Sequence, residues 1–186
     1  YANAYYNRGA AYAGKEEYDK AIADYDQALR LDPNRAEAYN NRGIAYAGKE
    51  EYDTAIADYD RALRLDPNRA NAHNNRGIAY AGKGEYDKAI ADYDQALRLD
   101  PNDATACYNR GNAYAHKGEY DKAIADYDRA LRLNPTYANA YYNRGAARAG
   151  KGDYARARAD WEKAVQINPN HVQARGNLEV LRRMGY

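Results

Sequence analysis

Residues 36–69 read AEAYNNRGIAYAGKEEYDTAIADYDRALRLDPNR, and residues 70–103 repeat that phrase with six substitutions. Working outward, copies lie at 2–35, 104–137 and 138–171, and a tail of 15 residues follows. An arginine–glycine pair marks each copy at Arg8, Arg42, Arg76, Arg110 and Arg144, and a proline closes each at Pro33, Pro67, Pro101, Pro135 and Pro169, always 34 residues apart. A unit of this length cannot bury its apolar face alone and does so by stacking on its neighbours. The chain therefore reads as an all-α solenoid, with function on a surface repeated along the stack.

Within residues 36–69 the spacing predicts two helices. The first runs roughly from Ala36 to Ala47, with Tyr39, Gly43 and Tyr46 on one face and Asn34 as the expected cap of its free N–H groups. Gly48-Lys49 reads as a stop, glycine supplying a left-handed turn. The second helix runs roughly from Tyr52 to Leu65, with Tyr52, Ala55, Tyr59 and Ala62 facing inward and Asp53 at the positive end of the helix dipole. Asp66-Pro67 ends it, because a residue before proline avoids helical dihedrals. A glycine inside a helix costs about 1 kcal/mol relative to alanine. The recurrence of Gly9, Gly43, Gly77, Gly111 and Gly145 therefore implies close helix approach, with Ala55 and Ala62 as the expected small partners and tyrosines filling the gaps.

This pattern resembles the tetratricopeptide repeat family. Its run of aromatic, glycine, tyrosine, small, aromatic, small and proline is carried here by Tyr39, Gly43, Tyr46, Ala55, Tyr59, Ala62 and Pro67. The resemblance covers residues 2–171 in five copies (2–35, 36–69, 70–103, 104–137 and 138–171), and residues 172–186 take the place of a C-terminal capping helix and tail. It implies a right-handed superhelix of antiparallel helix pairs whose first helices line a concave groove. The cap's expected apolar face is Leu178, Val180, Leu181 and Met184, with Arg182 and Arg183 toward water. One departure stands out. The family usually has leucine before the glycine, and this chain has arginine in all five copies. Aspartates co-repeat on the second helices at Asp24, Asp58, Asp92, Asp126 and Asp160, and at Asp26, Asp60, Asp94 and Asp128. We expect buried arginine stems with guanidiniums paired to these carboxylates.

The groove implied by the resemblance would bind an extended peptide or protein segment. Helical spacing puts an asparagine column on that face: Asn7, Asn41, Asn75, Asn109 and Asn143. Beside it runs Tyr6, Asn40, Asn74, Tyr108 and Tyr142. An amide offers donors and an acceptor suited to a peptide backbone, and a similar asparagine ladder occurs in the superhelix of the glycosyltransferase that attaches N-acetylglucosamine to nuclear and cytoplasmic proteins. The other reading is that each asparagine bonds a neighbouring helix. The lysine–arginine clamp by which chaperone adaptors of the family grip a terminal carboxylate is absent from the matching places, Tyr6, Asn40, Asn74, Asn3, Glu37 and Asn71.

Composition narrows the function classes. Net charge is +1, so no overall field favours nucleic acid. The charge is uneven: residues 138–186 carry nine basic and four acidic side chains. Twenty-two tyrosines stand beside no phenylalanine and one tryptophan. Cys107 is the lone cysteine and reads as a small buried thiol. No apolar run is long enough for membrane insertion, no signal segment is visible, and the localisation is open. His73, His116 and His171 lack the spacing of a metal site. No cofactor motif and no nucleophile–base pair appears, which points away from an enzyme. In the fifth copy Arg148, Arg158 and Trp161 replace the residues found at Tyr46, Ile56 and Tyr59, as expected of drift in a terminal repeat, or else of a basic end that docks an acidic partner. The reading is a protein-interaction scaffold. The alternative is a structural array that forms homo-oligomers through its terminal repeats, since nearly identical repeats make an exposed end resemble an internal interface. Tyr1 to Gly9 match Tyr137 to Gly145 residue for residue, so the sequence is expected to be a fragment or a processed chain.

Overall fold

The computed structural model describes residues 1–186 as eleven α-helices with no strand. Helices α1 (Ala2–Ala13), α2 (Tyr18–Leu31), α3 (Ala36–Gly48), α4 (Tyr52–Leu65), α5 (Ala70–Gly82) and α6 (Tyr86–Leu99) lie in one compact unit, Tyr1–Asp100. Helices α7 (Ala104–His116), α8 (Tyr120–Leu133), α9 (Ala138–Gly150), α10 (Tyr154–Ile167) and α11 (Val172–Arg183) lie in a second, Pro101–Tyr186. In each unit a first helix packs on the second helix of its own pair, and consecutive pairs pack on each other. No helix is long and apolar enough to cross a membrane.

The boundaries follow from local chemistry, with two corrections. Asn34 does not cap α3. The helix starts one residue later behind Arg35, which makes no side-chain cap bond. Instead the Asn34 backbone N–H donates to Asp32 Oδ1 at 3.3 Å, and Asn68 does the same to Asp66. The carboxylate before the proline thus organises the turn, a local side-chain bond that competes with capping. Gly48 is not the left-handed stop either. It is the last helical residue, and a Cβ there would sit 2.6 Å from Cζ of Tyr18 in the preceding pair. The left-handed residue lies two positions on, at Glu16, Glu50, Gly84, Gly118 and Gly152.

The core is a column of rings and small residues. Tyr25, Tyr59, Tyr93 and Tyr127 are almost fully buried among alanines. The recurrent glycine receives that ring rather than the alanines expected: a Cβ on Gly43 would meet Tyr59 Cε1 at 2.7 Å. In the last pair Trp161 takes the seat over Gly145, and its indole N–H donates to the Tyr142 carbonyl at 3.0 Å. The cap is narrower than its apolar sequence suggests. Leu181 is buried against Trp161, while Val180 and Met184 remain exposed, because no further helix covers them.

Candidate functional site

Two ionic ladders fix one pair on the next. Arg42 lays Nε and Nη2 on the Asp58 carboxylate at 2.7 and 2.6 Å and reaches back with Nη1 to Asp26 of the preceding pair at 2.5 Å. Arg76 joins Asp92 and Asp60 in the same way, and Arg144 joins Asp160 and Asp128. Arg110 holds Asp126. The expected arginine–aspartate pairing is therefore present, and the arginine slot is a bolt between helices. The Asp58 bond holds the Arg42 guanidinium above its usual range.

The second ladder was not read from the sequence. Lys49 pairs with Asp19 of the preceding pair at 2.8 Å, Lys83 with Asp53 at 2.5 Å, and Lys151 with Asp121. Its signal was available, in a lysine after each first helix and an aspartate opening each second helix from α2 to α8.

The asparagine column sits beside these ladders. Asn41 Nδ2 donates to Tyr6 Oη at 2.9 Å, Asn40 Nδ2 to Asn41 Oδ1 at 3.1 Å, and Asn75 Nδ2 to Asn40 Oδ1 at 3.2 Å. One chain of hydrogen bonds thus links three pairs within residues 1–100. Asn40 is only 3% exposed and Asn74 is also buried, so both lie beneath the surface. Asn7 is exposed, and Asn41, Asn75, Asn109 and Asn143 are half-buried, as are Tyr6, Tyr108 and Tyr142. Asn74 and Asn109 both hold partners. Tyr6 lies under the Arg35 guanidinium, 3.8 Å from its centroid, and Tyr142 stacks near His171 at 4.8 Å.

In residues 101–186 the column opens onto a hollow of about 380 Å³ lined by Asn112, His116, Tyr120, Tyr127, Asn143 and Ala146. Asn143 Nδ2 donates to Tyr108 Oη at 3.0 Å and to Asn112 Oδ1 at 2.8 Å, and the Tyr127 hydroxyl donates to the same oxygen at 2.8 Å. Two of these bonds end on Asn112 Oδ1, and Asn112 Nδ2 itself donates to no protein acceptor. Burial holds the Tyr127 phenol well above its usual range, which keeps it a neutral donor. Asn112 stands where α3 and α5 carry the exposed Ile44 and Ile78. The sequence reading passed over it, and its break with that isoleucine column was the available signal.

The remaining polar groups are structural. His73 lies 3.3 Å from Asp92 and 3.2 Å from the Pro67 carbonyl. Cys107 is buried, and burial raises its thiol pKa. Arg35 and Arg69 reach Asn3 and Glu37, at 2.6 and 2.5 Å, in the places where a carboxylate clamp would project. Arg148 joins Arg144 on Asp160, and Arg158 pairs with Glu162 within its own helix.

These features define a solenoid of antiparallel helix pairs. The chain belongs to the tetratricopeptide repeat family, whose models match residues 2–35, 40–104, 74–138 and 111–184. The crystal structure of MamA is similar over 89% of this chain and 96% of its own, with 30% identity and a TM-score of 0.79. YrrB, a TPR protein with an unusual peptide-binding site, is 29% identical over 91% of this chain and 88% of its own, with a TM-score of 0.74. PilW, a type IV pilus biogenesis factor, superposes with a TM-score of 0.85 at 23% identity, covering 96% of this chain and 87% of its own, a likeness of fold alone. No curated protein shows a significant sequence match.

Proposed function

We propose that this protein is a non-enzymatic scaffold that holds an extended segment of another protein against its first helices, gripping the segment by its backbone. The observation that carries this reading is the Asn112 amide: both its acceptor bonds are made within the fold, and its donors are left for a ligand carbonyl over the hollow. A volume of this order suits one or two side chains of a bound peptide, at the small end of ligand cavities. In the column Asn7, Asn41, Asn75, Asn109 and Asn143, the half-buried Asn41 and Asn75 serve the same chemistry, because each spends one N–H on the stack and keeps a second. Asn40 acts from behind by bonding both Asn41 and Asn75. The peptide-binding description of YrrB agrees with this use of the fold.

The test is Asn112→Asp. A carboxylate at that position still accepts from Tyr127 and Asn143 but has no donor for a peptide carbonyl. Peptides enriched from a random display library on the intact chain should lose about tenfold or more in affinity for the variant, with unchanged helicity. Enriched peptides that bind both proteins equally would reject this role for Asn112.

A further inference from the structure

Three departures from the repeat meet at the hollow in residues 101–186. Asn112 and Ala146 stand where α3 and α5 carry the exposed Ile44 and Ile78. A branched apolar side chain is thus replaced by an amide on α7 and by a methyl on α9, which leaves room between α7, α8 and α9. Tyr142 stands where Asn40 stands beside Asn41.

The polar groups of the hollow are used unevenly. Asn112 Oδ1 takes two donors, the Tyr127 hydroxyl and Asn143 Nδ2, while Asn112 Nδ2 donates to nothing in the fold. Asn143 is the reverse. Its Nδ2 donates twice, to Tyr108 Oη and to Asn112 Oδ1, while its Oδ1 accepts from nothing. In residues 1–100 the matching oxygen, Asn41 Oδ1, accepts from Asn40 Nδ2 at 3.1 Å. Tyr142 has no amide to offer in that role. Neither unused group is walled off, since the buried side-chain atoms without a partner lie elsewhere, at Arg69 Nε and His171 Nε2. The hollow therefore presents an unspent amide donor beside an unspent amide acceptor. Its walls are Ala115, Ala146, Ala147 and the rings of Tyr120 and Tyr127, and no carboxylate, lysine or arginine lines it.

We infer that this hollow reads a glutamine side chain of the bound segment. The inference rests on the peptide-binding reading above and names the residue that the segment places there. The glutamine carbonyl accepts one Asn112 N–H, and the glutamine amide donates to Asn143 Oδ1. A primary carboxamide carries both roles in one group. The second Asn112 N–H stays available for a backbone carbonyl over the hollow. The two methylenes of glutamine lie against the alanines and rings, where the shorter asparagine covers less.

Other side chains leave part of the hollow unpaired. Glutamate has no donor for Asn143 Oδ1, and it brings a charge that no lysine or arginine of the lining balances. Methionine has a similar length but pairs neither amide. Lysine has no acceptor for Asn112. A site built to hydrogen-bond one group discriminates against analogues that lack it, because its own polar groups are then left unmatched.

The probe is a random peptide display library selected on the intact chain. Enriched peptides should share a glutamine. In synthetic copies, replacing that glutamine with methionine or glutamate should weaken binding about tenfold or more, read by fluorescence anisotropy. Ala146→Ile installs the residue type of Ile44 and Ile78 and fills the hollow; that chain should keep its helicity and bind the glutamine and methionine peptides alike. Enriched peptides without a shared glutamine, or equal binding of the glutamine and methionine peptides by the unaltered chain, would overturn the inference. So would an Ala146→Ile chain that still prefers glutamine. If peptides indifferent to the glutamine lose affinity on Asn112→Asp, the backbone grip stands and the glutamine reading alone falls. If the library yields no binder, both fall.

Discussion

Glutamate is a poor residue for a left-handed turn, and this chain uses it twice. Glu50 ends the first helix of its pair with φ at 61°, and Glu16 does so at 59°. The equivalent residues in the next three pairs are Gly84, Gly118 and Gly152, at 75°, 75° and 81°. The backbone bonds around the turn are the same in both cases. Glu50 N–H donates to Ala47 at 2.9 Å and Glu51 N–H to Tyr46 at 3.0 Å, while Gly84 and Glu85 make the matching bonds to Ala81 and Tyr80 at 2.9 Å. A Cβ at Gly84 would touch nothing within 4 Å. Glu50 is exposed and makes no ion pair, so Glu50→Gly removes no contact. What changes is backbone energy. An L-residue with a side chain pays about 1–2 kcal/mol in the left-handed region, and glycine gives back about 0.5–1 kcal/mol through its freer unfolded chain. The net expectation is a stabilisation of about 0.5–1 kcal/mol, or a rise of about 2–4 °C in Tm per kcal/mol for a chain of this size. Gly84→Glu should lower stability by a similar amount. Urea unfolding followed by circular dichroism gives the shift in midpoint, and the slope should stay constant. A midpoint for Glu50→Gly that is unchanged or lower would refute the reasoning.

Two further outcomes follow from the arginine bolts. Arg42→Gln should cost about 3–5 kcal/mol, because it strands the buried Asp58 carboxylate and also frees Asp26; Arg8→Gln, where the arginine is itself mostly exposed and meets the buried Asp24 alone, should cost less, and urea midpoints of the two variants test that order. Acid stability should depend on His73. Burial pulls Asp92 upward, but the bonds from Arg76 and His73 outweigh it and hold the carboxyl below its usual value. In the pair with Tyr39 in place of histidine, burial leaves Asp58 above its usual value. A depressed carboxyl contributes stability that is present above its unfolded pKa and lost as pH falls through the folded one. His73→Tyr should therefore move the acid unfolding midpoint, followed by helicity, to higher pH; an unmoved midpoint would show that His73 adds nothing to Asp92.

The helices were legible because their signals are local and repeated five times. Period, proline and glycine placed the ends of α3 and α4 to within a residue. The arginine–aspartate pairing was legible because both members recur in step. Signals that depend on register between pairs were harder to see. Lys49 and Asp19 are 30 residues apart, and Asn41 and Tyr6 are 35 apart, so neither distance suggests contact until the pairs are stacked. The same limit hid the role of Gly48, which is a seat for a ring from the pair before and looks in sequence like a helix stop.

The asparagine column shows why chemistry alone left two readings open. An amide that can hydrogen-bond a peptide backbone can equally bond a neighbouring side chain, and the stack claims one donor from Asn41, Asn75 and both from Asn143. On the proposed reading, binding falls to the donors the stack does not claim, and neither Nδ2 hydrogen of Asn112 is bonded within the fold. It has them because it departs from the isoleucine of its column. The arginine ladder follows the same logic at its ends. Each internal guanidinium between consecutive pairs of one unit spans two carboxylates, and the bridge breaks off where one partner is missing. On α10 the lysine acceptor has become Ala155, and in α11 Leu178 stands in the arginine's place, so this edge is closed by apolar packing. On α1, Arg8 spends Nε and Nη2 on Asp24 alone. In a chain this repetitive, departures from the repeat such as Asn112 are where a ligand-specific role can be sought, because the conforming arginines and aspartates are already bonded to their neighbours.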